Sequence, residues 1–133
     1  MTARLVALDA PALAGVHTLK LFSRDPRGAA AWYARVMGFA PEPALAEPGQ
    51  VTLRHAPTGL LLALVADPQR AAALAGANLV GFTLPDGHAM DAWLAHLDTE
   101  NVLHSGLRRG KQGWGVAFHD LDGYEVRLHL DQD

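Results

Sequence analysis

TLKLFSRDPRGAAAW at residues 18–32 and LVGFTLPDGHAMDAW at residues 79–93 carry one pattern twice. Each opens as a short apolar strand, breaks at an Asp flanked by Pro or Gly, and continues with apolar residues at helical spacing. Setting Thr18 over Leu79 puts Leu21 over Phe82, Asp25 over Asp86, Ala31 over Ala92 and Trp32 over Trp93. An internal repeat of this kind decides the architecture before any single residue is weighed.

Working outward, the two halves keep the same order. In the first, Gln50–His55 alternates apolar and polar residues, Pro57-Thr58-Gly59 is turn chemistry, and Leu60–Val65 is a nearly continuous apolar run. Such a run predicts a strand covered on both faces or nearly so. A short extra strand is expected within residues 40–46. Residues 67–78 read as a linker with one helical turn. In the second half a strand at Leu79–Leu84 leads to a helix over residues 88–98. Short strands at 101–104 and 114–119 follow, then the turn Asp120-Leu121-Asp122-Gly123 and a last strand over Tyr124–Leu130. Gly59-Leu60 in one half falls near Gly123-Tyr124 in the other. The expected organisation is α+β: a single domain, 1–133, with a first βαβββ module at 16–66 and a second at 79–130. Each module's helix covers one face of its sheet, so the other faces are expected to meet or to enclose a cavity.

Composition bounds the function. The chain has 133 residues, half of them apolar and 19% charged, as expected for one globular domain. Eleven basic against 14 acidic residues leave a net charge of -3, which gives no electrostatic footprint for nucleic acid or an anionic membrane. The absence of cysteine removes disulfides, cysteine zinc sites, iron–sulfur clusters and thiol nucleophiles, and fits a cytoplasmic protein. Asp9 and Pro11 interrupt the opening apolar stretch, so residues 1–14 read as a surface lead-in rather than a secretory signal.

HTLKLFSRDP and AWYARVMGF within 17–39, PTGLLLAL at 57–64, LVGFTLPD at 79–86 and FHDLDGYEVRL at 118–128 together resemble the vicinal oxygen chelate superfamily, which includes glyoxalase I, bleomycin-resistance proteins and extradiol dioxygenases. Met37-Gly38-Phe39 takes the place of that family's Leu-Gly-Phe, and Asp120-Leu121-Asp122-Gly123 that of its Asp-Pro-Asp-Gly. The resemblance spans about residues 16–130. It implies two tandem βαβββ modules forming an incomplete barrel around a cavity, and homodimers whose sites pair modules from different chains.

The family often holds a divalent metal at four cavity-facing strand positions. Carried over, they fall on Thr18, on the all-apolar strand 60–65, on Leu79 and on Arg127, none of which is a ligand in this register. A metal needs three or more convergent N or O donors, so no metal cofactor is expected. His17 becomes a candidate only if the first strand slips by one residue. What the resemblance then implies is a fold with a cavity for a small molecule.

The residues expected to line that cavity are Thr18, Lys20, Phe22, Leu62, Leu79, Trp114 and Arg127. Arg127 alternates with Val126 and Leu128 and is suited to gripping a carboxylate or phosphate through paired hydrogen bonds; Lys20 either shares that anion or sits exposed at the sheet rim. Trp114, between two glycines, is placed either to stack a flat ligand or to cover a loop. Trp32 and Trp93 are expected to pack their helices symmetrically on the two sheets. His55 and His119 end strands near turns and are the candidates for acid–base work, while His88 and His96 are expected at the surface. GLRRGKQGWG at 106–115 lacks the hydroxyl residue and following helix of a phosphate-binding loop and reads as a hairpin or a lid. The expected function is metal-independent small-molecule binding without a nucleic-acid or membrane partner. The alternative is a lyase, isomerase or dioxygenase of the same superfamily, working through a metal or through His55 or His119.

Overall fold

The computed structural model describes residues 10–131, apart from the side chain of Leu79. The elements run β1 (Thr18–Ser23), α1 (Pro26–Met37), β2 (Ala40–Pro41), a 3-10 turn (Pro43–Leu45), β3 (Gln50–His55), β4 (Leu60–Ala66), α2 (Pro68–Leu74), β5 (Asn78–Thr83), α3 (Gly87–Thr99), β6 (Arg108–Gly110), β7 (Gly113–His119) and β8 (Glu125–Asp131). They form two four-stranded sheets, ordered β1-β4-β3-β2 and β5-β8-β7-β6. In each, the first strand pairs in parallel with the last, and the remaining pairs are antiparallel. Among the described residues no helix is long and apolar enough to cross a membrane.

Local chemistry accounts for the elements. Pro26 starts α1, and Gly38 ends it at φ 77, a conformation that glycine adopts without strain. Ala29, Trp32, Tyr33, Val36 and Met37 recur at helical spacing and are buried. Asp86 caps α3 by accepting from the Ala89 N–H at 2.9 Å. Asp25 makes no such side-chain cap, although the sequence suggests one.

Strand registry sorts the side chains onto two faces. In the first sheet Leu19, Leu21, Leu53, Leu62 and Leu64 share the helix-covered face, with Leu19 opposite Leu62 and Leu21 opposite Leu64. Thr18, Lys20, Phe22, Thr52, Leu61 and Ala63 share the open face. In the second sheet Phe82, Val116, Phe118, Val126 and Leu128 are on the covered face, and Gly81, Gly115, Ala117, Arg127 and His129 on the open one.

One hydrophobic core includes residues of both covered faces. Trp32 on α1 reaches Phe118 on β7, with ring centroids 6.2 Å apart. The β7–β8 turn completes the joint: Asp120 accepts from the Tyr33 hydroxyl, Asp122 accepts from the Arg24 N–H at 2.9 Å, and the Tyr124 hydroxyl donates to the Phe22 carbonyl at 2.8 Å. His96 reaches across from α3 and donates its Nε2 proton to the Val36 carbonyl at 2.8 Å. The halves meet through covered sides, and among the described residues the open faces do not meet. Each carries its own hollow, and no described residue lines both.

Several boundaries differ from the sequence reading. Residues 101–104 form no strand beyond a single bridge, His104 with Phe118, because Asn101 at φ 56 and Gly106 at φ 74 break the run. The hairpin strand β6 follows instead. The stretch 67–78 contains α2, whose Ala71 is fully buried. Trp93 is only half-buried, whereas Trp32 is 6% exposed, so the packing of the two tryptophans is not symmetrical.

Asp120 carries a pH signature. Burial, the largest influence, raises its carboxyl above the ordinary carboxylate range; the hydrogen bonds from Tyr33, Tyr124 and Asp122 oppose that rise. Above the ordinary value and up to the raised one, the native state keeps a proton that the unfolded chain has released. Stability therefore falls as pH rises through that window. Thermal melts across the acidic range should show this fall in the wild type and a flatter profile in Asp120→Asn. An equal slope in both would remove Asp120 as its source.

Candidate binding hollow on the second sheet

The larger hollow, of about 470 Å³, lies on the open face of the second sheet. That volume is within the range of small-molecule sites. Its floor follows from pairing. Arg108 on β6 is opposite Gly115 on β7, and Gly115 is opposite His129 on β8. In the next row Ala117 on β7 is opposite Arg127 on β8, and Arg127 is opposite Gly81 on β5. Glu125 draws the Arg127 Nε to 3.3 Å, a partly exposed pair that holds direction more than it adds stability. The Lys111-Gln112 turn between β6 and β7 forms the rim, so residues 106–115 make a two-residue-turn hairpin.

His129 owes its placement to missing side chains. A Cβ on Gly81 would lie 2.9 Å from its Nε2, and a Cβ on Gly115 would lie 3.9 Å from its Nδ1. The imidazole thus lies on the floor between two glycine strands. Parity with Arg127, two residues earlier, was the available signal for His129. Arg108 had no such signal, because its face depends on the hairpin register.

The expected lining residues separate. Arg127 lines this hollow. Trp114 also borders it, but it pairs with Leu130, packs against the core and has the Arg109 guanidinium 5.7 Å from its ring centre. Its ring therefore belongs to the covered face. Thr18 and Lys20 line a separate hollow of about 310 Å³ on the first sheet, beside Thr52, Leu61 and Ala63. Phe22 shares that open face, with the Arg70 guanidinium 5.1 Å over its ring. Leu62 is corrected outright: it is 1% exposed on the covered face, and Leu61 takes the open side. The side chain of Leu79 lies outside the described residues, and its backbone stands where the β5–β8 register shifts.

The histidine candidates do not converge. His55 pairs with Leu60, its ring centre is 5.1 Å from that of Phe39, and it contacts Thr58 Oγ1 at 2.7 Å. His119 is on the open face opposite Glu125, beyond the residues lining the hollow. His17 precedes β1 and its ring meets the Thr18 hydroxyl; the unbroken register from Thr18 to Ser23 leaves no slip to turn it inward.

Residues 15–128, which span both sheets, match the family model Glyoxalase/Bleomycin resistance protein/Dioxygenase superfamily. The chain belongs to this superfamily. A comparison with curated proteins finds no match. Among solved structures of glyoxalase and antibiotic-resistance proteins, a lactoylglutathione lyase from Agrobacterium tumefaciens is 21% identical at TM-score 0.72, covering 90% of this chain and 95% of its own. TnmS3, an antibiotic binding protein from Streptomyces sp. CB03234, is 21% identical at TM-score 0.74, over 92% of this chain and 100% of its own. The fosfomycin resistance protein FosX from Listeria monocytogenes is 16% identical at TM-score 0.71, over 91% and 96%. At such identities these likenesses establish the glyoxalase-like fold alone.

The metal often held in this superfamily does not fit this donor set. Along the central parallel pairs the open faces present Thr18, Lys20, Ala63, Gly81 and Arg127, with one imidazole, His129, and one carboxylate, Glu125, that pairs with Arg127, where a chelate site needs three or more such donors converging. Among the described residues no three His, Asp or Glu side chains stand close enough to share an ion.

Proposed function

We propose that this chain is a metal-independent small-molecule-binding protein, cytoplasmic, whose hollow on the second sheet receives the acidic end of its ligand. The observation that carries this reading is Arg127. It lines the hollow, and the superfamily's pattern carried over from the sequence assigns it the place of the fourth ligand, which in this reading puts a fixed cation where a carboxylate would hold a metal. A guanidinium there binds an acid directly, without a bridging ion. TnmS3 is an antibiotic binding protein and FosX a fosfomycin resistance protein, and both are in keeping with a fold used to capture small molecules.

The working unit is a homodimer in this reading. Both hollows are open, and among the described residues the first-sheet face with Thr18, Lys20 and Phe22 has no second sheet to close on. A second copy supplies one. Sedimentation should give twice the chain mass, and a monomer with full ligand affinity would overturn this part.

Calorimetric titration of chelator-stripped protein with Zn, Ni, Mn and anaerobic Fe(II) tests metal independence. No stoichiometric binding is expected; tight uptake of any one ion would replace this reading with the metal-dependent enzyme. Removing one charge-assisted contact costs about 1.5–3 kcal/mol, so Arg127→Ala should weaken aromatic acids roughly ten- to a hundredfold.

A further inference from the structure

We infer that the hollow on the second sheet holds one oxyanion above the middle strand, over Gly115 and Ala117, with Arg108 on one bank and Arg127 and His129 on the other. This rests on the reading of the hollow as a ligand site; it adds two residues to that site and states the chemistry of the group bound there.

The register carries the geometry. β7 runs between β6 and β8, and neighbouring strands are about 4.8 Å apart, so the two flanking strands are separated by roughly twice that. On the open face the middle strand presents Gly115 and Ala117, which have almost no height, while the flanking strands present Arg108, Arg127 and His129. The result is a trough with a low floor and cationic banks. An anion set into it approaches the sheet closely and meets donors from opposite sides.

Charge supports the same assignment. Three basic side chains, Arg108, Lys111 and Arg127, line the hollow with one carboxylate, Glu125, in a chain whose net charge is -3. Among the described residues no carboxylate pairs with Arg108 or Lys111, and His129 has no hydrogen-bond partner. Glu125 is directed at Arg127 and not at Arg108 across the trough. Gly81 and Gly115 let the His129 ring lie against the floor, so Gly81 is a positioning residue. Carboxylates, phosphonates and phosphate monoesters share this recognition chemistry.

Three probes built on one phenyl ring separate the possibilities: benzoate, phenylphosphonate and the neutral benzamide, titrated into the full chain while backbone amide resonances are followed. Both anions should shift Gly115 and Ala117, phenylphosphonate at the lower concentration because its three oxygens match donors on two banks. Benzamide should shift neither. Arg108→Ala and Arg127→Ala, both at exposed positions, should each weaken binding about tenfold or more. Gly81→Ala removes no cation, but it displaces the His129 ring and should weaken the phosphonate more than the carboxylate. Ala117→Leu should block both anions, with retained amide dispersion showing that the variant is folded. If Arg127→Ala weakens binding while Arg108→Ala and Gly81→Ala leave it unchanged, the two-bank trough is overturned and the simpler Arg127 site stands. Equal binding of benzamide would overturn the oxyanion. Silence of the hollow towards all three probes in the wild type would overturn the ligand site itself.

Discussion

Asp120→Ala should lower the melting temperature by roughly 10–20 °C, the value for about 3–5 kcal/mol lost from a domain of this size. Asp120 is 8% exposed, and its two carboxylate oxygens accept from three donors: the Tyr33 hydroxyl, the Asp122 N–H and the Tyr124 N–H. Alanine leaves all three without a partner at a site that water reaches poorly. Each unmet donor costs about 1–3 kcal/mol. One of those donors, Tyr33, belongs to the other half of the chain, so the damage extends beyond the turn. Tyr33→Phe is the matched comparison. It removes one donor and leaves the carboxylate its two backbone N–H groups, so it should cost about 1–2 kcal/mol. Melting curves that place Tyr33→Phe below Asp120→Ala in stability would show that the turn does not depend on its carboxylate.

The second large effect sets two equivalent residues against each other. Trp32→Ala should cost about 3–5 kcal/mol, as expected when a buried aromatic is truncated. Its ring lies edge-on to Tyr33, with centres 4.9 Å apart, and leans on Phe118 from the other half. The hole would open where the two sheets share their core. Trp93, the same position in the repeat, borders an outer groove with Arg35, Met37 and His96 and meets the His96 ring edge-on at 5.3 Å. Trp93→Ala should cost about 1 kcal/mol, since much of the ring already faces solvent. Denaturant midpoints for the two variants decide the matter, and equal losses would mean that the joint does not depend on Trp32.

These residues also show how far the amino-acid order reaches. The repeat was legible because strand, Asp break and helix impose the same local demands in each half: β3 falls on Gln50–His55 as read, and α3 lies within a residue of the expected 88–98 at each end. Arg127 was legible because β8 alternates strictly, Val126, Leu128 and Leu130 against Glu125, Arg127 and His129. Leu62 was misplaced for the opposite reason. Every residue from Leu60 to Val65 is apolar, so β4 has no polar mark to distinguish its faces, and only pairing with Leu19 reveals the parity. Trp114 stands among glycines, where composition offers no face at all. The unequal fates of Trp32 and Trp93 depend on how the halves dock, and that is decided by long-range contacts such as Tyr33 with Asp120, 87 positions apart.

The joint between the halves governs how such a chain can change. Tyr33, Asp120, Asp122 and Tyr124 hold the two halves in place, and none of them lines either hollow. Residues that aim the faces and residues that dress them are separate sets. A face can exchange chelating groups for cations, or cations for apolar groups, while the frame carrying it keeps its shape. Grafting new chemistry onto the exposed Thr18, Lys20 or Arg127 should therefore leave melting behaviour almost untouched, which makes this chain a frame with two interchangeable palms.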